Sequence, residues 1–131
     1  MLVGYPMLDD RTVLPADHPI QPYLLWTSQA NDLGWKALLG KERGAHRRER
    51  SYLCSPARAK DLSGLPDTYI DIGGLDLFVD EDLEFTKRLG SAGVYVEFHL
   101  YPGVPHGFDG VRELRAAQEA VALQTKFLTR Y

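Results

Sequence analysis

Two residues of this sequence, Asp76 and His106, have the types and the surroundings that suit acid and base catalysis. Asp76 follows a short apolar run from Tyr69 to Ile72 that ends at the pair Gly73-Gly74, and this pattern predicts a buried parallel strand. His106 comes shortly after a second β-rich run, from Val94 to Tyr101. The sequence therefore predicts a carboxylate and an imidazole just beyond the ends of two strands.

The chemistry of such a pair depends on where the two strands end. In open α/β sheets the functional groups lie outside the carboxyl ends of the strands, so we expect the two side chains to meet at one edge. In a hydrolase triad, an aspartate bonded to one imidazole nitrogen fixes the tautomer, and the other nitrogen takes a proton from the nucleophile. We therefore expect Asp76 to be the orienting acid and His106 the base. Asp80 and Glu81 are the alternative acids, although the first turn of a following helix also explains acidic residues there.

Several segments, in order along almost the whole chain, resemble the hormone-sensitive-lipase-like carboxylesterases of the α/β-hydrolase fold. These segments are Tyr5 to Arg11, Ser55 to Arg58, Asp61 to Pro66, Gly73 to Asp76 with Asp80 and Glu81, and Tyr101 to Phe108. The resemblance implies an α/β fold, the C-terminal half of an α/β-hydrolase sheet with parallel strands and flanking helices. It also implies a serine ester hydrolase acting on small acyl esters, with Asp76 as the triad acid and His106 as the triad base.

Two motifs that the resemblance places upstream are absent from the 131 residues, namely the Gly-x-Ser-x-Gly nucleophile elbow and the His-Gly-Gly oxyanion loop. The nearest match, Leu89 to Gly93, has leucine in place of the first glycine, and its Ser91 lies between a predicted helix and a strand. An elbow needs the reverse order, a strand followed by a helix. We therefore expect residues 1–131 to be the C-terminal segment of an α/β-hydrolase domain without its nucleophile half, and to be inactive alone.

Two other functions fit the same residues. A serine peptidase of the prolyl-oligopeptidase type also ends in an aspartate followed by a His-Gly pair, although the segments Tyr5 to Arg11 and Ser55 to Pro66 favour the esterase. The other is a non-catalytic module that self-associates. In the resembled fold the strand at Leu2 to Tyr5 has a further neighbour, so we expect its edge to be unpaired here and to recruit another chain. The expected partner is a second copy, giving a homo-oligomer, or an upstream fragment.

Composition narrows the function classes further. A chain with 44% apolar and 25% charged residues suits one globular domain. Its net charge of −3 gives no reason to expect nucleic acid or an anionic membrane as a partner.

The four histidines lack metal-ligand spacing, and Gly73-Gly74 is too short for a phosphate or dinucleotide loop, so we expect neither a metal nor a cofactor. Because no transmembrane stretch or signal peptide is evident, the expected location is the cytoplasm.

The elements that position the acid and the base are predicted as a strand, a polar excursion over residues 9–22 with a short helix after it, a strand, a helix, a strand and a helix. The bounds are a strand from Leu2 to Tyr5, a helix from Thr27 or Ser28 to about Lys36, a strand ending at Ile72, a helix from Val79 to Ala92, a strand ended by Pro102-Gly103, and a helix from near Val111 to Tyr131. In the helix after Asp76, the residues predicted to face the core are Val79, Leu83, Thr86 and Leu89.

Other conspicuous residues are assigned to packing or to the surface. Trp26 and Trp35 are candidates for an acyl pocket, but packing beneath the excursion is the favoured interpretation. The charged run from Lys41 to Arg50 predicts a solvated face, and His46 within it receives no catalytic role.

Overall fold

The polypeptide folds into a parallel sheet with helices on both faces, as seen in a computed structural model that describes residues 1–40 and 52–130. The strands, in spatial order, are β1 (Leu2–Gly4), β2 (Thr68–Leu75) and β3 (Val96–Pro105). The helices are α1 (Ser28–Leu39), α2 (Val79–Ser91) and α3 (Arg115–Leu128), with short 3-10 turns at Gln21–Tyr23, Pro56–Arg58 and Phe108–Gly110. The predicted α/β class with parallel strands and flanking helices is confirmed.

Strand β2 is the buried centre of the sheet because different helices cover its two faces. Side chains alternate between the faces of a strand. Ile70 lies in a core cluster with Phe85 of α2, whereas the ring of Tyr69 lies 5.6 Å from that of Phe127 in α3. Residues Thr68 to Gly73 are all buried. The apolar run before Asp76 therefore forms the buried strand that was predicted from it.

The buried face of α2 differs from the predicted one. Leu83 is 42% exposed. The buried residues of this helix are Glu81, Asp82, Phe85 and Leu89. Leu89 is buried as predicted, and Val79 packs partly buried against the core. The most buried positions nevertheless begin at Glu81, since Glu81, Phe85 and Leu89 recur at every fourth position. Two carboxylates thus lie inside the protein, where the sequence pattern assigned them only to the helix dipole.

The strand ends also differ from prediction. Strand β2 continues to Leu75 beyond its glycine pair, and β3 continues to Pro105 beyond Pro102-Gly103. The pairing of the two strands is irregular just after Gly73. A Cβ atom at Gly73 would lie 2.3 Å from the Val104 carbonyl oxygen, so glycine is needed because the two backbones approach closely, not because the chain turns.

The last helix starts later than predicted. Helix α3 begins at Arg115 rather than near Val111, because turns occupy the residues between them. The backbone N–H of Leu114 donates to the Val111 carbonyl at 3.0 Å, and Leu114 itself has extended backbone geometry. Helix α1 shows the opposite difference, since it continues past Lys36 to Leu39.

Some predictions fall on residues that the structure does not describe. The charged run from Lys41 to Arg50, with His46, and the chain end at Tyr131 lie outside residues 1–40 and 52–130. Within those two ranges, no helix has both the length and the apolar character needed to cross a bilayer.

Candidate active site

A tight turn between β2 and α2 holds the side chain of Asp76. Its backbone N–H donates to the Gly73 carbonyl at 3.2 Å, and its Oδ1 accepts a hydrogen bond from the Phe78 backbone N–H at 3.1 Å. The second bond is an Asx turn, in which a short carboxylate side chain replaces a backbone acceptor. Asp76 is 1% exposed. Its carboxylate is therefore fixed in orientation by the turn, and Oδ2 remains for a second partner.

The loop after β3 brings His106 to that carboxylate. Nδ1 of His106 lies 2.8 Å from Oδ2 of Asp76. The Asp76 side chain is fully buried, whereas that of His106 keeps 24% of its surface exposed. Gly107 follows with a φ of +71°, a left-handed conformation that glycine adopts readily and that leads the chain into the next 3-10 turn. The structure thus brings together the two residues that the sequence singled out.

This contact gives the two imidazole nitrogens different tasks. A carboxylate only accepts hydrogen bonds, so Nδ1 must carry the hydrogen that joins His106 to Asp76. In the neutral ring, Nε2 is then the nitrogen with a free lone pair. A histidine held in this way takes a proton at Nε2, and the carboxylate stabilises the imidazolium that forms. The arrangement is therefore suited to accepting and returning one proton.

Three aromatic rings surround His106. Their centroids lie at 4.6 Å for Tyr5, 5.6 Å for Phe78 and 5.8 Å for Trp26. Trp26 packs against an apolar cluster and also reaches the imidazole, so it is more than the packing residue that the sequence predicted. Trp35, at 1% exposure, is the core residue that was expected. Nothing in the sequence pattern places Trp26 at the site, because its contact depends on the path of the excursion.

The alternative acids lie elsewhere. Asp80 is exposed on α2. Oε1 of Glu81 accepts hydrogen bonds from the backbone N–H groups of Leu8, at 2.6 Å, and Asp9, at 3.0 Å. Glu81 therefore ties the start of the excursion to α2. Residues 1–40 and 52–130 contain no group of three or more His, Cys, Asp or Glu side chains arranged to hold a metal ion.

Asp82 is a buried acid whose position opposes ionisation. It is 0% exposed, and neither carboxylate oxygen has a hydrogen-bond partner among the described residues. Burial, together with the charges of Glu81 and Asp76, raises the pKa of Asp82 from 3.8 to about 9. Burial likewise raises the pKa of Glu81 from 4.5 to about 7. An acid with a higher pKa in the folded state binds its proton more tightly there, so stability falls as pH rises between the unfolded and folded pKa values.

Replacing Asp82 with asparagine is expected to flatten this pH dependence. Because asparagine does not titrate, the fall in the free energy of unfolding between about pH 5 and about pH 8 should lessen by about 1.4 kcal/mol per pH unit, the effect of one proton. Urea unfolding across this range measures the slope. Asp80→Asn, which changes an exposed acid of the same helix, should keep the wild-type slope. Equal slopes for Asp82→Asn and the wild type would contradict a proton bound at Asp82.

Most of the chain matches an established protein family. Residues 1–110 match the sequence model of a family described as having the alpha/beta hydrolase fold. Among individual relatives, esterase LipI of Mycobacterium tuberculosis strain H37Rv is 38% identical over 56 residues, which make up 43% of this chain and 18% of that protein.

Solved structures show the same likeness over almost the whole chain. A bacterial heroin esterase superposes with a TM-score of 0.80 at 34% identity, with coverage of 92% of this chain and 38% of that chain. A hormone-sensitive lipase from a metagenome library superposes with a TM-score of 0.81 at 23% identity, with coverage of 98% and 43%. The chain therefore spans less than half the length of each of these relatives. The match over residues 1–110 shows that the chain belongs to this family of the α/β-hydrolase fold, in agreement with its resemblance to the hormone-sensitive-lipase-like carboxylesterases.

Proposed function

We propose that this chain provides the acid and the base of a serine carboxylesterase, with Asp76 orienting His106 and His106 acting as the general base. The observation that carries this proposal is the 2.8 Å contact between Nδ1 of His106 and the buried Oδ2 of Asp76. His106 also keeps 24% of its side chain exposed, and a base needs such exposure in order to reach a substrate.

The proposed reaction is acyl transfer through a serine ester. The serine hydroxyl attacks the ester carbonyl carbon while Nε2 of His106 takes its proton, and Nε2 then returns that proton to the leaving alcohol as the C–O bond breaks. A water molecule repeats both steps on the acyl-serine, which releases the acid and restores the serine. Asp76 stabilises the imidazolium in each half-reaction.

In this proposal the serine and the oxyanion donors come from another polypeptide segment, since no Gly-x-Ser-x-Gly motif occurs in the 131 residues. Residues 1–131 then act as the C-terminal segment of the domain and are inactive alone, because a base without a nucleophile cannot form an acyl-enzyme. Small acyl esters are the proposed substrates. The relatives are named esterases, which favours this class over a peptidase.

A chimera tests the proposal directly. The part of the bacterial heroin esterase that this chain does not cover is joined to residues 1–131, and hydrolysis of short-chain p-nitrophenyl esters is measured. The chimera should be active; Asp76→Asn should lower its kcat by about 10⁴-fold, and His106→Ala by about 10⁶-fold. Asp80→Asn, at an exposed acid outside the pair, should leave kcat near that of the parent.

Two results would overturn the proposal. One is a chimera that unfolds cooperatively, and so is folded, yet hydrolyses no ester. The other is activity that survives His106→Ala. Residues 1–131 alone should hydrolyse the same esters no faster than buffer does. If they instead show activity that depends on His106, Ser91→Ala tests the serine whose surroundings partly resemble an elbow.

We also propose that another polypeptide, a second copy of this chain or the upstream segment, covers the outer edge of β1. The Tyr5 backbone N–H donates to the Asp71 carbonyl at 2.6 Å, so alternate backbone groups of this strand face β2. Leu2 and Gly4 therefore present their N–H and C=O groups at the outer edge, beyond which the described sheet has no strand. Exposed edges of this kind recruit further strands.

The surface beside this edge supports a covering partner. A groove of about 630 Å³ is lined by Asp109, Arg112, Ala117, Gln118, Val121 and Ala122. Asp109 connects the groove to the end of β1, because it accepts a hydrogen bond from the Tyr5 hydroxyl at 2.9 Å. A strand that pairs with the open edge of β1 would therefore lie next to the groove.

Association should therefore depend on the groove. Val121 is 52% exposed there, and Val121→Glu is expected to weaken self-association, or binding to the uncovered part of the heroin esterase, at least about tenfold. Leu83→Glu is the matched control, because Leu83 is 42% exposed on α2. Sedimentation velocity measures both assemblies. A chain that stays monomeric at high concentration and does not bind the esterase segment would contradict the proposal.

A further inference from the structure

Tyr5 has an unusual backbone for its residue type. Among the described residues it is the one non-glycine residue with a positive φ, at +36°. A residue with a Cβ atom adopts such a conformation only where surrounding contacts enforce it, and residues of this kind cluster at functional sites. The contacts made by Tyr5 therefore indicate what the conformation serves.

The Tyr5 side chain contacts the His106 loop at three points. Its ring lies edge-on to the imidazole of His106, with 4.6 Å between centroids, and 6.4 Å from the ring of Phe108. Its hydroxyl donates to Oδ1 of Asp109 at 2.9 Å. Its own backbone N–H is held by β2 through the Asp71 carbonyl. Tyr5 thus connects the sheet to the loop from His106 to Asp109.

We propose that Tyr5 is a positioning residue for His106, which fixes this loop so that Nδ1 stays within hydrogen-bond distance of Asp76. The acid is already anchored by its own turn, through the bond from the Phe78 backbone N–H to Oδ1. The base is on a loop that contains a left-handed glycine, Gly107, and glycine itself gives little resistance to movement. The distance between acid and base therefore depends on whatever holds the loop.

The other two rings at the site are less suited to this task. Phe78 follows Asp76 in the same turn, so its position is tied to that of the acid. Trp26 lies just before α1, and its ring centroid is farther from the imidazole than that of Tyr5, at 5.8 Å against 4.6 Å. Tyr5 adds a hydrogen bond to its ring contacts. Burial and the bond to Asp109 raise the pKa of Tyr5 to about 12, so the phenol keeps its hydrogen throughout the neutral range.

The tautomer of His106 provides a test that does not require hydrolysis. In long-range ¹H–¹⁵N spectra of the histidine-labelled chain, neutral His106 should give the pattern of a single Nδ1–H tautomer. Tyr5→Leu should shift this pattern toward a mixture with Nε2–H, and Tyr5→Phe, which keeps the ring, should shift it less. Tyr69→Leu is the control, because Tyr69 is a buried tyrosine whose ring contacts His99, at 5.1 Å, and Phe127, at 5.6 Å, rather than the His106 loop. It should lower stability without changing the His106 tautomer.

The outcomes separate this inference from the proposed function on which it rests. A wild-type Nε2–H tautomer would overturn both, because His106 would then not be oriented by Asp76. A wild-type Nδ1–H tautomer that stays unchanged in Tyr5→Leu would overturn the role of Tyr5 alone. If Tyr5→Leu does not fold, Tyr5→Phe and Asp109→Ala decide the question. An unchanged tautomer in both of these would likewise overturn the inference.

Discussion

Gly73→Ala is expected to destabilise the protein more than a glycine-to-alanine substitution anywhere else in the sheet. A Cβ atom there would lie 2.3 Å from the Val104 carbonyl oxygen and 2.9 Å from that of Pro105. Both contacts are with backbone, so relief requires β2 and β3 to move apart. Overpacking of side chains costs about 1 to 3 kcal/mol, and for this backbone clash we expect about 3 kcal/mol or more of the free energy of unfolding to be lost.

The same change should also disturb the contact between Asp76 and His106. Val104 and Pro105 are the last residues of β3, and His106 directly follows them. Gly90→Ala is the matched control. A Cβ atom at Gly90, within α2, meets nothing within 4 Å, so alanine should stabilise the helix by up to about 1 kcal/mol. Urea unfolding of the wild type, Gly73→Ala and Gly90→Ala measures the expected loss and the expected gain in the free energy of unfolding. A Gly73→Ala protein with the wild-type midpoint would contradict the close approach of β2 and β3 at Gly73.

Loss of the Arg58 guanidinium is expected to have an effect of similar size. Its Nε lies 2.5 Å from Oδ1 of Asp10 and its Nη2 lies 2.9 Å from Oδ2. The Asp10 side chain is 0% exposed and that of Arg58 14%. Removing one member of a buried ion pair costs about 3 to 5 kcal/mol, because the other charge stays buried. Ser55 also donates to Asp10, at 2.9 Å, so we expect Arg58→Met to cost about 3 kcal/mol.

The control for Arg58 is a surface pair on the same excursion. Nη2 of Arg11 lies 2.6 Å from Oδ2 of Asp9, but the Arg11 side chain is 49% exposed. Surface ion pairs contribute about 1 kcal/mol or less, so Arg11→Met should change the unfolding midpoint little. Adding Asp10→Asn to Arg58→Met should recover part of the loss, since the uncompensated charge is then removed. Equal losses for Arg58→Met and Arg11→Met would contradict the account of a buried pair.

The pairing of Asp76 with His106 and the strands before them could be anticipated because their signals are local. A short apolar run before Asp76 and a β-rich run before His106 are visible without knowledge of any tertiary contact. The predicted ends of β2 and β3 were wrong for a physical reason. Glycine pairs often mark turns, but Gly73 serves a close approach between two backbones, and only the partner strand reveals that need.

The surroundings of the acid and base could not be anticipated in the same way. Tyr5 and Trp26 contact His106 from the two ends of the irregular segment between β1 and α1, whose path leaves no periodic pattern in the sequence. The buried carboxylates Glu81 and Asp82 escape a hydrophobicity pattern, because such patterns assign every charged residue to the surface.

The βαβ unit formed by β2, α2 and β3 has a consequence for folding order. Asp76 and His106 are 30 residues apart, and they directly follow β2 and β3, the two strands that this unit joins. By contrast, Leu2 of β1 pairs with Tyr69, across most of the preceding chain. Loop-closure entropy rises with the length of chain enclosed, so contacts within one crossover are expected to form before those between distant segments. Asp76 and His106 are therefore expected to come together within one βαβ unit, and in the proposed function the segment with the nucleophile would dock onto a pair that has already formed.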